Sequence, residues 1–292
     1  MTAPVHYTSA TAFRQAVEAR LANLAQVEHT DIQRLRRQFA FDRLLGRLFR
    51  EPAAPWALKG GYAMELRLAA ARATRDIDLA FCRHLAGGGK SRNSRILELL
   101  QASASVDMDD YFSFLIGELI KGLDGAPYGG GRFPVEARMD GRPFARFHLD
   151  IGVGDAIMDP LEKVHGRDWL GFAGIPAAEF RAISREQQFA EKYHAYTMPR
   201  HDRENSRARD LVDMLLLIRR GRLHRVRTSG AIHLTFQHRH THVLPVDVPP
   251  PPGNWEKPFA ALCAECGLKV DFARAHTVLA KFISRLLRSD TP

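Results

Sequence analysis

The sequence lacks the marks of a membrane or secreted protein. Its 292 residues include only three cysteines, Cys82, Cys263 and Cys266, which are too few to suggest a disulfide framework. No run of 18 apolar residues could form a transmembrane helix. The N-terminal segment also lacks a basic stretch followed by an apolar one, the pattern of a secretory signal. We therefore expect a cytoplasmic protein with reduced cysteines and no membrane partner.

Acidic residues are in the minority. There are 33 of them against 42 lysines and arginines, which gives a formal net charge of +9. This balance argues against an acidic pocket for a cationic substrate and favours an anionic partner, with nucleic acid as the first candidate. The length is sufficient for one large or two small domains with a real hydrophobic core.

A glycine pair, Gly60-Gly61, comes after a short apolar segment and precedes a helix-like run. At such a junction, backbone N–H groups and the positive end of the helix dipole both suit a phosphate. A Gly-Gly pair taken alone is usually a turn, so its meaning depends on the residues downstream of it.

Two carboxylates lie downstream of the glycine pair. Asp76 and Asp78 alternate with Ile77 and Leu79, so on a strand both carboxylates would lie on one face and the apolar pair on the other. Adjacent carboxylates repel each other unless a cation lies between them, and Mg²⁺ prefers oxygen ligands. Together with a phosphate-binding turn, the pair indicates a site that transfers a phosphoryl or nucleotidyl group.

A third carboxylate, Asp150, lies in the alternating segment 145–153. The Asp140-Gly141 pair just before that segment is typical of a hairpin turn. Asp150 would then lie in an antiparallel hairpin, where it could face the first two carboxylates. The alternative is a polar residue on the exposed face of the strand; given the first motif, we expect a third metal ligand.

Hydrophobic periodicity predicts where the helices and strands lie. In the first half we expect helices at 8–28, 31–49, 62–71 and 94–103, strands at 56–58, 77–81 and 111–120, a glycine-rich turn at 125–132 and a hairpin at 133–153. In the second half we expect helices at 184–196, 205–220, 255–266 and 271–288. The pattern predicts an α+β protein, with an α/β lobe over residues 1–160 and a mostly helical lobe over residues 161–292.

These motifs resemble the AbiEii/AbiGii toxin family, nucleotidyltransferases of the DNA polymerase β superfamily. The resemblance covers roughly residues 35–285. It rests on Gly60-Gly61, Arg72-x-Thr74-x-Asp76-x-Asp78, Leu149–Gly152, Ala190–Ala195 and Arg207–Met214. Many superfamily members have Gly-Ser where this chain has Gly60-Gly61, so a serine contact to phosphate would be absent here.

The resemblance implies a polymerase-β-type mixed sheet with flanking helices. It also implies two Mg²⁺ ions, or Mn²⁺ in their place, held by Asp76, Asp78 and Asp150 as catalytic carboxylates. Gly60 and Gly61 would bind the β- and γ-phosphates of an NTP through their backbone N–H groups.

Lys192, Asp210 and Asp213 lie in the second half of the chain. A lysine on an amphipathic helix is usually solvated, but the family resemblance implies that Lys192 is required for activity and neutralises the triphosphate. Asp210 and Asp213 lie three residues apart on one helix face. One of them could hold Lys192 or contact the acceptor; we favour Asp210 as the catalytic carboxylate and Asp213 as the structural one.

Three further motifs are weak. Ala86–Ser91 resembles half of a P-loop, but it lacks the first glycine and a preceding buried strand, so we expect Lys90 to lie in a basic loop over 85–95. The alternating histidines at 238, 240 and 242 could hold zinc on a strand, although a basic surface is the simpler interpretation. Cys263-x-x-Cys266 lacks a second pair of ligands and is expected in the core.

The resemblance implies the toxin of a toxin–antitoxin (abortive infection) system. Its acceptor would be RNA, such as the 3′ end of tRNA, and its antitoxin would be encoded adjacently. One alternative keeps the chemistry but changes the acceptor to a small molecule, such as an aminoglycoside, or to a protein side chain. Another is a non-catalytic nucleotide- or RNA-binding protein, which the presence of all three carboxylates makes less favourable.

Overall fold

The computed structural model describes residues 5–68, 71–83, 89–123, 125–199 and 207–287. The chain divides into two compact units. The first comprises residues 1–62, 73–154 and 163–182, and the second comprises 63–72, 155–162 and 183–292. The predicted lobes, 1–160 and 161–292, are each one continuous segment. In the structure each unit consists of three segments, because the chain passes between the units several times.

The first unit carries a mixed sheet and the helices that flank it. The helices are α1 (Ala10–Val27), α2 (Ile32–Leu48), α3 (Gly60–Arg67), whose first turn belongs to this unit, and α4 (Gly89–Ala104). The strands are β1 (Trp56–Lys59), β2 (Asp76–Phe81), β3 (Phe112–Ile116), β4 (Lys121–Gly122), β5 (Gly130–Met139), β6 (Arg142–Val153), β7 (Glu162–His165) and β8 (Glu179–Ala182).

The strands lie in the order β3-β5-β6-β2-β1-β8-β7, with β4 paired to β5. The β5–β6 hairpin is antiparallel, whereas β2 pairs with β6 in parallel. The predicted α+β class, a mixed sheet with flanking helices, is therefore confirmed. The sheet brings β2 beside β6, although about 70 residues separate them in the chain.

One face of the sheet is apolar because its strands alternate. Ile77, Leu79, Leu149 and Ile151 are each fully buried. Helix α2 lies against β6 on this face, and it begins where the sequence predicts, since the Asp31 side chain accepts a hydrogen bond from the backbone N–H of Gln33 at 3.0 Å. Burial of the apolar face leaves the opposite face of β2, β5 and β6 to polar side chains.

Helix α2 also carries two buried arginines that share one acid. The guanidinium of Arg43 lies 2.6 Å from the carboxylate of Asp110, and that of Arg47 lies 2.7 Å from it. Burial raises the pKa of Asp110, but hydrogen bonds and charge from Arg47 and Arg43 outweigh burial and lower it below its ordinary value. The two ion pairs fix the end of α2 to the chain just before β3.

Asp42, also on α2, anchors the start of α3. Its carboxylate is 2% exposed. It accepts hydrogen bonds from the hydroxyl of Tyr62 at 2.5 Å, the indole of Trp169 at 2.6 Å and the backbone N–H of Arg167 at 2.8 Å. Tyr62 is the next residue after the glycine pair, so Asp42 holds the turn that carries Gly60 and Gly61.

Asp42 should make stability depend on pH. Burial raises the pKa of its carboxyl to about 6, despite the hydrogen bonds that favour the ionised form. Because its pKa is higher in the folded than in the unfolded state, the protonated carboxyl of Asp42 favours folding. This contribution to the free energy of unfolding is fully present below the unfolded pKa of about 4 and is lost as the pH rises through 6. The stability of Asp42→Asn relative to the wild type should therefore rise between pH 4 and pH 7, by up to about 3 kcal/mol, whatever constant loss the missing hydrogen bonds cause.

Urea unfolding of both proteins across this pH range measures that difference. Asp31→Asn, which removes a carboxylate from the exposed start of the same helix, serves as the control. A constant difference between Asp42→Asn and the wild type at every pH would contradict the assignment.

The second unit is largely helical. Its helices are α5 (Arg185–Thr197), α6 (Ala208–Arg220), α7 (Arg225–Arg239), α8 (Glu256–Glu265) and α9 (Phe272–Leu287). Their apolar faces form one core, with Phe189, Leu215, Ile232 and Leu279 fully buried. Ser184 caps α5 as predicted, because its hydroxyl accepts from the backbone N–H of Gln187 at 3.1 Å.

Three details differ from the sequence-based prediction. Helix α3 begins at the glycine pair itself and ends at Arg67. Helix α4 begins at Gly89, so the predicted 85–95 loop is helical at its end, while residues 84–88 lie outside the described part. Strand β5 begins at Gly130, inside the predicted turn. His238 lies in helix α7, whose apolar side faces the core, and not on the strand that the zinc alternative would need.

No helix among the described residues is long and apolar enough to span a membrane.

Candidate active site

The structure brings the three predicted carboxylates together on the polar face of the sheet. Asp76 and Asp78 alternate with buried residues on β2, and Asp150 lies on the neighbouring β6. In the parallel register, Asp78 lies beside Asp150 and Asp76 beside His148. The Nδ1 atom of His148 is 3.1 Å from a carboxylate oxygen of Asp76. The alternation predicted from sequence thus places all three side chains on one face of the sheet.

The glycine pair lies against these carboxylates. Lys59, the last residue of β1, is the register partner of Asp78, and Gly60 turns the chain into α3 with a φ of 67°. A Cβ atom on Gly60 would lie 1.9 Å from Oδ2 of Asp78. Only glycine fits here, because a side chain would both strain the left-handed backbone and strike the carboxylate.

Thr74 explains why the second position is glycine as well. A Cβ atom on Gly61 would lie 2.6 Å from the hydroxyl oxygen of Thr74. That hydroxyl also lies 3.3 Å from the backbone carbonyl of Asp76, at the start of β2. A serine in place of Gly61 would therefore require Thr74 to move. The position of Thr74 thus accounts for glycine here, where many superfamily members have serine.

We expect Gly60→Ala to destabilise the protein more than Gly141→Ala. Both glycines have φ near 66°, but a Cβ atom on Gly141 would meet nothing within 4 Å. Gly141→Ala should therefore report backbone strain alone, about 1–2 kcal/mol. Gly60→Ala adds the clash with Asp78, so it should exceed this value in urea unfolding and also reduce activity. Equal losses of stability in the two variants would show that the glycine does not make room for the carboxylate.

Arg132 joins the carboxylates from β5. Its guanidinium donates to both oxygens of Asp150, at 2.8 and 2.7 Å, and to Asp76 at 3.3 Å. The hydrogen bond to Asp150 raises the pKa of Arg132. The sequence prediction missed this residue because it assigned Arg132 to a turn. The alternation of Arg132, Pro134 and Glu136 with buried residues is the signal that places it on the polar face.

The chemistry of these side chains suits a divalent cation. Three carboxylates supply the hard oxygen atoms that Mg²⁺ and Mn²⁺ prefer. Among the described residues, no group of three or more acidic, histidine or cysteine side chains is arranged to hold a metal ion. Asp76 and Asp150 instead both point to the guanidinium of Arg132. The donor set therefore fits the predicted cation, which would compete with Arg132 for two of its ligands.

In the second unit, Lys192 lies in a buried network of charges. Its ammonium group is 2.7 Å from Asp213 and 3.4 Å from Asp210. Asp213 also accepts two hydrogen bonds from Arg72, at 3.2 and 3.0 Å. Asp210 receives a further contact from Arg207 at 3.3 Å. The structure thus joins three family-like segments, around residues 72, 192 and 210, within one unit.

Asp213 is the more deeply buried of the two aspartates. It is 0% exposed, whereas Asp210 is 8% exposed. Burial raises the pKa of Asp213, but the charges of Lys192 and Arg72 outweigh burial and lower it. Likewise, burial lowers the pKa of Lys192, but Asp213 and Asp210 raise it above its ordinary value, so the lysine is charged. Asp213 therefore has the contacts expected of a structural anchor, and Asp210 as the catalytic carboxylate stays a prediction.

The histidine and cysteine motifs lie among hydrogen-bonded and core residues of the second unit. His242 and Thr241 form hydrogen bonds with each other and with the second unit's core, where Thr241 lies 2.8 Å from buried His194. Cys263 and Cys266 are buried and are not joined in a disulfide, as expected for core residues. Burial raises the pKa of the Cys266 thiol to about 11.

Comparison with known proteins identifies the family. The model of the family described as nucleotidyl transferase AbiEii toxin, type IV TA system, matches residues 43–271, most of the 292-residue chain. The chain belongs to the AbiEii nucleotidyltransferase toxin family. It is therefore a nucleotidyltransferase, as the family resemblance implied. Membership in this AbiEii family implies an NTP as substrate and an antitoxin as partner.

One solved structure supports the fold, and two others are similar to a lower degree. MenT4, a nucleotidyltransferase toxin from Mycobacterium tuberculosis H37Rv, has a TM-score of 0.54 and 16% identity, with 93% of this chain and 96% of that chain covered. JHP933 from Helicobacter pylori gives 0.46 and 16%, covering 89% of this chain and 98% of that one. A further H. pylori structure gives 0.48 and 14%, covering 89% and 96%. No curated protein matches this AbiEii-family sequence.

Proposed function

We propose that this AbiEii-family enzyme is the toxin of a toxin–antitoxin pair and transfers a nucleotide from an NTP to RNA. The acceptor we propose is the 3′ end of tRNA. The observation that carries the proposal is the parallel register that sets Asp78 beside Asp150, with Gly60 packed against Asp78. The net charge of +9 supports a polyanionic acceptor over a cationic drug.

Each residue of the sheet has a role in this proposal. Asp76, Asp78 and Asp150 would hold two Mg²⁺ ions, which stabilise the charge that develops on the transferred phosphoryl group and on the leaving pyrophosphate. The N-terminus of α3 would bind the β- and γ-phosphates through backbone N–H groups. Asp150 would accept the proton of the attacking hydroxyl, so that the oxygen can attack the α-phosphorus in line while pyrophosphate leaves.

Lys192 and Asp210 complete the proposed machinery, in roles that rest on the family resemblance. Lys192 would neutralise the triphosphate, since the raised pKa keeps its ammonium charged at neutral pH. Asp210 would hold Lys192 or contact the acceptor.

A labelling experiment tests the enzyme directly. The purified protein is incubated with total RNA and with each of the four labelled NTPs in turn, with Mg²⁺ or with EDTA. We expect label in the tRNA fraction with at least one NTP, and none with EDTA. Label on small molecules or on protein, with RNA unlabelled, would replace the acceptor while keeping the chemistry.

Growth of a bacterial host tests the toxin assignment. We expect inducible expression of the wild type to arrest growth and expression of Asp78→Ala to permit it, because a modified tRNA 3′ end cannot be aminoacylated. Sequencing the tRNA 3′ ends from both cultures identifies the added nucleotide. Equal growth with unmodified ends in both cultures would remove the tRNA-toxin proposal.

A further inference from the structure

A basic groove of about 860 Å³ opens on the polar face of the sheet in the first unit, next to Asp76. Five arginines line it: Arg37, Arg75, Arg132, Arg138 and Arg146. Only two acidic side chains, Asp76 and Glu136, are among its lining residues. We call it the arginine groove.

The order of the strands places this groove away from the glycine pair. Gly60 comes directly after β1, which pairs with β2 on one side, whereas the arginine groove is formed by β3, β5 and β6 on the other side. The carboxylates of Asp76 and Asp78 lie between the two. A phosphate-binding turn on one side of the carboxylates leaves the opposite side for the second substrate.

Arg132 is paired with Asp150 and Asp76, but the other arginines of the groove outnumber their acidic partners. Glu136 alone accepts from both Arg138, at 2.5 Å, and Arg146, at 2.6 Å. The Arg146 side chain is 74% exposed. Among the described residues, the buried Nε of Arg37 has no hydrogen-bond partner. The groove therefore keeps an excess of positive charge that can be offered to an anion.

The groove also has apolar surface between its charges. Leu115 on β3 is 53% exposed, and Pro134 lines the same space. Grooves that bind single-stranded nucleic acid combine positive charge for the backbone with apolar or aromatic surface for the bases.

We infer that the arginine groove binds the 3′-terminal strand of the RNA acceptor, with its phosphates on the arginines and its last hydroxyl directed to the carboxylates. This inference rests on the proposed function, and it adds the face of the protein that receives the acceptor. It separates the two substrates, with the NTP at the glycine pair and the RNA strand at the arginine groove.

Binding measured without turnover tests the groove. In an Asp78→Ala background, fluorescence polarisation of a labelled single-stranded RNA oligonucleotide gives the Kd over a range of salt concentrations. For the added double change Arg138→Gln and Arg146→Gln, we expect the Kd to rise about tenfold near 0.1 M salt. Since each phosphate contact contributes about 0.7 to the salt slope of a single strand, the slope should fall by about 1.4.

The control removes the same charge outside the groove. Arg50 lies just beyond α2 and Arg274 lies on α9; both are exposed, and neither lines the groove. Arg50→Gln with Arg274→Gln should leave the Kd and the salt slope nearly unchanged. Thermal melting checks that every variant is folded, and Arg75→Gln, at an exposed groove position, provides a second test if the double variant is unstable.

Equal losses of RNA affinity in the groove and control variants would overturn the inference, as would the absence of measurable RNA binding. Loss of ATP binding with unchanged RNA binding would assign the groove to the nucleotide instead. The transfer assay is read separately: RNA that binds through the groove but is never labelled would remove the proposed function and leave the groove. If RNA is labelled and its KM is the same in the wild type and in the groove-arginine variants, the proposed function stands and the groove assignment is overturned.

Discussion

Asp78→Ala is expected to abolish nucleotidyl transfer while leaving the fold intact. Asp78 lies beside Asp150 in the parallel register and against Gly60, so it occupies the centre of the proposed site. In the proposed mechanism its loss removes a shared metal ligand, and we expect the rate to fall at least about 1,000-fold, equivalent to about 4 kcal/mol.

Stability should respond in the opposite sense. Three carboxylates lie close together on one face of the sheet, and removal of one relieves their mutual repulsion in the metal-free protein. The free energy of unfolding of Asp78→Ala should therefore equal or slightly exceed that of the wild type. Asp109→Asn, at an exposed loop position, is the control and should keep full activity. Near-normal turnover of Asp78→Ala with Mg²⁺ would exclude the metal assignment.

Asp213→Asn is expected to cause a large loss of both stability and activity. The substitution leaves Lys192 and Arg72 as buried cations without their common partner. Breaking a buried ion pair by removing one member costs about 3–5 kcal/mol. Lys192→Met should cost less stability, because Asp213 keeps its contacts with Arg72, but it should reduce transfer strongly if Lys192 acts on the triphosphate.

A double-mutant cycle separates the two effects. The loss of stability in Asp213→Asn with Lys192→Met should be smaller than the sum of the single losses, because the double variant buries one cation fewer. Urea unfolding gives the stabilities, and the transfer assay gives the rates. Lys90→Ala, in the segment that resembles half of a P-loop, should change neither the stability nor the transfer rate by much. An essential Lys90 beside a dispensable Lys192 would show that the active site is misplaced.

Local sequence patterns gave a good account of the first half of the site. The alternation of Asp76 and Asp78 with Ile77 and Leu79 is a property of any strand, so the face that each side chain takes can be read from the sequence. The helices at Ile32–Leu48 and Ala208–Arg220 are likewise predicted by apolar periodicity. Around His238, the alternation of histidines was misleading, because a short polar pattern competes with the apolar face of a longer helix.

The sequence by itself determined that this protein has a glycine pair at the start of a helix, carboxylates on a shared face and the motifs of a nucleotidyltransferase family. Only the tertiary structure decided that β2 lies beside β6, that Arg132 reaches Asp76 and Asp150, and that Asp213 rather than Asp210 holds Arg72. The physical reason is that these contacts join residues far apart in the chain. They depend on which strands and helices pack together, and local propensity carries no information about that choice.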